Sequence, residues 1–154
     1  VAPLLRSTAD NRDRARLSTM NSLFAILGSV FILLAALVHL MIFFMESVLF
    51  HKPRVQKIFG VRPDDVDVVK SWAYNQGFYN VFLALGAGTG LVLMGTVEMW
   101  PAGIALAMFA ALSMVLAALV LITSQPKKMA RPAIIQGAPP LIGIIFLVLA
   151  LSVG

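Results

Sequence analysis

The sequence predicts an all-α integral membrane protein, a four-helix bundle in which neighbouring helices run antiparallel. Of the 154 residues, 60% are hydrophobic and 12% are charged, whereas about 25% of the residues of a soluble domain are charged. This composition excludes a soluble domain and a disordered chain. Four windows contain no Asp, Glu, Lys or Arg, namely 17–45, 71–97, 99–126 and 132–154. Each window exceeds the ~20 residues that a helix needs to cross the hydrocarbon core.

The apolar windows are typical of helices and not of barrel strands. In lipid, only a helix or a closed barrel satisfies all backbone polar groups. Barrel strands alternate apolar and polar residues, whereas residues 30–38 and 102–112 are apolar almost without interruption. We therefore predict one four-span domain over residues 21–154, with spans at about 22–49, 74–96, 101–123 and 132–153.

An Arg-rich N-terminal arm, residues 1–20, precedes the four-span domain. The sequence begins with Val1, but Met20 directly precedes the first apolar run, so both residues are candidate starts of translation. We expect the first 16 residues of the arm to be poorly ordered or to lie on the membrane surface.

The first loop, between spans one and two, is the longest polar connection. Pro63 is followed by three aspartates within 64–67, and proline with acidic residues in the first turn is typical of a helix start. Trp72 and Tyr74 then lie where interfacial aromatic residues are expected. We predict a short interfacial helix that leads into span two.

The second loop is short, so spans two and three should form an antiparallel hairpin. Pro101 suits the first turn of span three. Gly86 and Gly90 in span two have the spacing that allows two helices to approach closely. Span three is rich in Ala and Met, and we interpret it as a packing or lipid-facing helix.

The distribution of Lys and Arg predicts the orientation. The net charge is +5, and the first and third loops together contain eight Lys and Arg, whereas the second loop contains none. Because positive loops stay in the cytoplasm, we expect loops one and three on that side and both termini outside. These cations flank membrane spans, so membrane lipids are the expected partners and nucleic acid is not.

Span one contains two ionisable residues, His39 and Glu46. Ionisable groups inside a span are costly and indicate a functional site. A separation of seven residues predicts that the two side chains share one helical face, about 10 Å apart along the axis. We treat them as candidate catalytic residues.

Polar residues of spans two and four should join them at one end of the bundle. Span two presents Gln76, Tyr79 and Asn80 at helical spacing, next to Asn75, and span four begins near Gln136. Helix direction places these side chains and Glu46 on the loop-one side of the membrane. The predicted ligand-binding set is His39, Glu46, Asn75, Gln76, Tyr79, Asn80 and Gln136.

The prolines of span four predict a distortion of its helix. Pro132 and the pair Pro139 and Pro140 should distort the start of span four and leave backbone carbonyls near Gln136 as additional acceptors.

The chain contains no Cys and only two His residues, which is too few ligands for a zinc, di-iron or bis-His haem site. We expect no metal and no cofactor.

The sequence resembles a family of bacterial integral membrane proteins filed as domain of unknown function 1304. The most specific matching part is the Asn-Gln-Gly-aromatic-Tyr-Asn block at 75–80. Other matching segments are 39–46, 57–60 and 136–139. The resemblance implies a four-span protein of the bacterial inner membrane with these polar positions as its signature, and it implies no established activity.

Three functions are compatible with these features. The first is binding, and possible conversion, of a small or lipid-like ligand in a polar pocket on the cytoplasmic side. The second is proton-coupled transport by a small dimeric transporter, because a carboxylate in a span can carry protons. The third is a role as an accessory or assembly subunit, in a homo-oligomer or a larger membrane complex, with the polar residues only joining helices.

Overall fold

The computed structural model describes the backbone of residues 2–124 and 126–153 and the side chains of residues 14–124 and 126–153. Val1, one of the two candidate starts, lies outside these ranges, as do the side chains of the first part of the arm. The described residues contain no β-strand. The helices are α1 (Ala2–Phe43), α2 (Pro53–Ile58), α3 (Val66–Leu93), α4 (Trp100–Ser124) and α5 (Pro126–Val153).

The four long helices form the predicted all-α bundle. Each of α1, α3, α4 and α5 is long and apolar enough to cross a membrane. Helix α1 packs against α3 and α5, and α4 packs against the same two helices, so α1 and α4 lie on one diagonal. Loops one and three therefore meet at one end of the bundle, which we call the loop-one end, and the second loop lies at the opposite, loop-two end.

The helices extend beyond the predicted spans. Helix α3 begins at Val66 and α5 at Pro126, and α1 runs from Ala2 through the arm into span one without a break. A window without charges indicates only the part of a helix that lies in hydrocarbon. The first turns of α3 and α5 contain Asp67 and Lys127, both exposed.

The helix start predicted at Pro63 is present, but it opens α3 and not a separate short helix. Pro63 opens a single 3-10 turn, Pro63–Asp65, that leads directly into α3, and the separate short helix is α2, which begins at Pro53. Arg62 donates to Asp65 across this turn at 2.7 Å, and the pair lowers the pKa of the Asp65 carboxyl below its usual range.

Small residues pack the middle of the bundle and its loop-two half tightly. A Cβ atom on Gly90 would lie 2.6 Å from the backbone nitrogen of Ala107, so α3 and α4 touch through their backbones there. Gly86, its partner in the predicted pair, has ordinary contact distance to Ala110. The core consists of Ile32, Ala35, Ala36, Ala84, Ala87, Ile104, Ala107, Ala110, Ala111, Met114 and Leu147.

Helix α5 continues through its three interior prolines, so the expected distortion at the start of span four is not a break in the helix. Pro140 is fully buried. Because Pro139 and Pro140 have no N–H group, the carbonyls of Ile135 and Gln136 lack their usual intrahelical donors. These two residues lie at the loop-one end of the bundle.

Candidate functional site

A cavity of about 650 Å³ opens between the helices at the loop-one end. All four long helices contribute to its wall, through residues within 38–45, 76–83, 117–124 and 129–136. Most of the lining side chains are apolar. The bundle is thus tightly packed in its middle and loop-two half and hollow over about two turns at the loop-one end.

Asn80 is the centre of the polar part of the cavity wall. Its side chain is buried, and Nδ2 donates to Glu46 Oε2 and to the carbonyl oxygen of Gln76, both at 3.0 Å. The first of these bonds joins span one to α3. Interhelical bonds of this kind contribute about 0.6 kcal/mol each in membrane bundles.

Glu46 lies in a π-helical turn, Phe44–Val48, that follows α1. The Leu49 N–H donates to the Phe44 carbonyl at 2.8 Å, five residues back instead of four. Such a turn contains more residues than an α-helical turn, so the 3.6-residue periodicity is interrupted between His39 and Glu46. The predicted common face assumes a regular α-helix, and of the two residues only Glu46 lines the cavity.

Gly77 allows the π-helical turn to approach α3. The Ser47 hydroxyl donates to the Tyr74 carbonyl at 3.0 Å, and a Cβ atom on Gly77 would overlap Ser47 Oγ. The same Cβ would lie 3.2 Å from Glu46 Cβ. The glycine of the 75–80 block thus has a physical role, since any side chain would displace Glu46 and Ser47.

His39 lies in the core and not in the cavity wall. It is fully buried, and Nδ1 lies 2.9 Å from the Ala35 carbonyl oxygen. A carbonyl only accepts, so Nδ1 carries the proton and Nε2 is left as an acceptor. Among the described residues Nε2 has no hydrogen-bond partner.

The structure brings five of the seven predicted binding residues to the cavity, namely Glu46, Gln76, Tyr79, Asn80 and Gln136. Asn75 is exposed on α3 and lies outside the cavity wall. The side chains of Gln76, Tyr79 and Gln136 form no hydrogen bond with any residue that the structure describes. Their polar groups are available to a bound molecule.

Sequence reasoning missed the contributions of α4 and the first loop. Ala117, Val120 and Leu121 of α4 line the cavity, although span three was assigned to packing or lipid contact. Ile58 and Phe59 add a wall from the first loop. Apolar side chains give no local signal of a pocket, and the match of segment 57–60 to the family was the one signal that could have identified this wall.

Three cationic residues neighbour lining residues in the chain but are not themselves among the lining residues. Lys57, Lys128 and Arg131 are exposed and follow or precede lining residues in the chain. Within the described ranges, no cluster of three or more His, Asp or Glu residues could hold a metal ion.

Residues 33–148 match the model of a family described as protein of unknown function (DUF1304). The chain belongs to the DUF1304 family. No curated protein and no solved structure matches it. The matched region of this DUF1304 protein begins after the arm and includes every residue that lines the cavity.

Proposed function

We propose that this DUF1304 protein binds a small apolar or lipid-like molecule in the cavity at the loop-one end. The observation that carries the proposal is a 650 Å³ space with mainly apolar walls and a few convergent polar groups. Ligand sites in proteins are typically about 300–1,000 Å³ and have this composition.

The cavity suits a molecule with one polar and one apolar part. The polar part has Glu46, Gln76 and Gln136 as partners, because the two amides have no other partner in the described part of the chain. The apolar part would lie along side chains such as Ile42 and Val120. Each buried CH₂ group of a ligand contributes about 0.8 kcal/mol to binding.

Any conversion of the bound molecule would depend on Glu46. It is the one candidate catalytic residue that borders the cavity, whereas His39 lies in the core. A carboxyl group beside a bound ligand can accept or donate a proton. Glu46 therefore remains the candidate acid–base group of the proposed site.

We further propose that the protein lies in a bacterial inner membrane with loops one and three in the cytoplasm. Lys and Arg residues of both loops lie at the same end of the bundle as the cavity. The positive-inside rule supports this orientation. The ligand would then enter from the cytoplasmic side or from the inner leaflet.

The distribution of packing favours binding over the two alternatives. A proton-coupled transporter needs access from both sides, whereas the residues that line the cavity lie at the loop-one end, and α3 and α4 are in backbone contact at Gly90 and Ala107 in the loop-two half. An accessory subunit would use its polar residues to join helices. Gln76 and Gln136 join none of the helices that the structure describes through their side chains.

Two alanine-to-phenylalanine variants of α4 test the proposal. Ala117 lines the cavity, whereas Ala105 is exposed on the same helix outside it. Wild type, Ala117→Phe and the control Ala105→Phe would be purified in lipid nanodiscs and compared by native mass spectrometry. We expect a retained molecule in wild type and Ala105→Phe and its loss from Ala117→Phe.

Two results would contradict the proposal. If all three proteins retain the same molecules in the same amounts, the cavity is not the binding site. If none retains a molecule while all three fold equally well, the cavity binds nothing that survives purification from the membrane, and the proposal in this form is wrong.

A further inference from the structure

Of the described residues that line the cavity, Glu46 is the only one with an ionisable acidic or basic side chain apart from the Tyr79 phenol. The remaining polar members of the wall are neutral amides and hydroxyls. Carbonyls of Ile135 and Gln136, which lack their usual donors because of Pro139 and Pro140, can add only acceptors. The described wall therefore presents one acidic side chain and several acceptors, and no basic side chain.

The Glu46 carboxyl group has no cationic partner among the residues whose side chains the structure describes. Asn80 is its one hydrogen-bond donor among them, and the ion pair between Arg62 and Asp65 lies in the first loop. Glu46 is nevertheless partly buried. A carboxylate removed from water without a counterion is costly, so a cation in the cavity would stabilise the ionised form of Glu46.

The rest of the wall suits a cation that also has a large apolar surface. Tyr79 and Phe59 offer aromatic faces, which attract cations. Met41, Met45 and Met129 provide flexible, polarizable side chains that adapt to ligands of irregular shape.

An anionic ligand fits this wall less well. Lys57, Lys128 and Arg131 are the nearest cations in the chain to lining residues, and all three are exposed. Water and salt screen such charges, so they act weakly on a group inside the cavity. An anion within the cavity would meet Glu46 without a compensating positive side chain.

We infer that the ligand is a hydrophobic cation whose positive group pairs with Glu46 and whose apolar groups fill the space between the four helices. The inference rests on the proposed function and specifies its ligand class. It also predicts that the neutral isostere Glu46→Gln, which keeps an acceptor for Asn80, loses affinity without losing the fold.

A pair of probes with the same shape and opposite charge tests the inference. Tetraphenylphosphonium is a hydrophobic cation, and tetraphenylborate is the matching anion. Binding of each probe would be measured by equilibrium dialysis to the full-length protein in a neutral detergent. The proteins compared are wild type, Glu46→Gln, the cavity-filling variant Ala117→Phe and the control Ala105→Phe.

We expect wild type and Ala105→Phe to bind tetraphenylphosphonium with the same affinity. Glu46→Gln should weaken this binding by about tenfold or more, since an ion pair is lost at a partly buried site. Ala117→Phe should abolish it. Tetraphenylborate should bind wild type more weakly than the cation does, and Glu46→Gln should not weaken the binding of the anion.

Other results would overturn the inference. If wild type and Glu46→Gln bind the cation equally, or if the anion binds wild type as tightly as the cation, the ligand is not selected by positive charge. If, in either case, Ala117→Phe abolishes binding of the probes, the cavity is a binding site as proposed, but it does not select a cation. If Ala117→Phe binds both probes as wild type does, both the inference and the proposed function are wrong.

Discussion

Asn80 connects the two segments that hold most of the polar cavity wall. Through one amide group it donates to Glu46 on span one and to the Gln76 carbonyl on its own helix. The amide thereby holds the one charged group of the cavity in place. Asn80, Gln76 and Tyr79 follow the spacing of one helical face, which is why the sequence alone predicts that they lie together.

The Glu46–Asn80 contact should be measurable as a coupling energy. A double-mutant cycle with Glu46→Ala and Asn80→Ala should give about 0.6 kcal/mol, and up to about 1.7 kcal/mol, in the free energy of unfolding. Reversible unfolding in mixed micelles provides the measurement. A control cycle of Glu46→Ala with Asn21→Ala, at the other end of span one, should be additive. Equal coupling in both cycles would show that the contact contributes nothing specific.

His39 illustrates where residue-level prediction fails. Counting seven residues along a regular α-helix places it on the face of Glu46, but a π-helical turn interrupts this spacing and only Glu46 lines the cavity. Nothing in the residue types of 44–48 announces such a turn. His39 therefore fills the core, with Nε2 buried and lacking a partner among the described residues.

Replacing His39 with leucine should not destabilise the protein. The change removes an acceptor without a described partner and keeps a similar volume, so the free energy of unfolding should equal that of wild type or exceed it by about 1 kcal/mol. His39→Ala should lower it by about 2 kcal/mol or more, because a void is left. A large loss of stability in His39→Leu would show that Nε2 has a partner that the structure does not contain.

At the scale of elements, the π-helical turn and α3 form one close contact. Ser47 bonds to the Tyr74 carbonyl, and Gly77 leaves the space that this approach requires. Sequence analysis expected the glycines of 86–90 to be the close-packing residues of α3. One of them, Gly90, has that role against α4, and Gly77 has it against span one.

Two glycine-to-alanine changes in α3 should have opposite effects on stability. Gly77→Ala places a Cβ atom against Ser47 and should lower the free energy of unfolding by about 1–3 kcal/mol. Gly88 has no neighbouring atom within 4 Å of a Cβ position. Gly88→Ala should therefore raise the free energy of unfolding by about 0.5–1 kcal/mol, because alanine favours the helix.

Thermal or detergent-induced unfolding of both variants provides the comparison. The account would be contradicted if Gly77→Ala were as stable as wild type. A partial rescue of Gly77→Ala by Ser47→Ala would identify the overlapping atom as Ser47 Oγ.

The four long helices were predictable because their apolar windows follow from the cost of burying charge in lipid. Their ends were not predictable to the same degree. Helix α3 begins at Val66, before the charge-free window, because its first turns include exposed charged residues. The separate helix α2 was missed, since the short helix of the first loop was predicted to begin near Pro63.

At the scale of the whole molecule, the bundle combines a tightly packed middle and loop-two half with a hollow loop-one end. Alanine and glycine bring the helices together in the middle and the loop-two half, and larger side chains with a polar cluster line the cavity at the loop-one end. The sequence predicted the end of the bundle at which polar residues gather. It did not predict that α4 completes the wall, because Ala117, Val120 and Leu121 resemble any lipid-facing residues.

The proposed orientation can be tested directly because the chain contains no cysteine. Single substitutions at exposed positions, Lys57→Cys at the loop-one end and Val97→Cys in the second loop, would report opposite sides of the membrane. Under our account, a membrane-impermeant maleimide labels Val97→Cys in intact bacterial cells. It should label Lys57→Cys only in inside-out vesicles, and the opposite pattern would reverse the orientation.

The central claim is that the cavity beside Glu46 is occupied when the protein lies in its membrane. An experimental density map of the protein extracted with its native lipids tests it most directly. The account predicts non-protein density between α3, α4 and α5 that contacts Glu46 and Gln136. A map in which the helices close together, so that side chains fill this space, would contradict the claim.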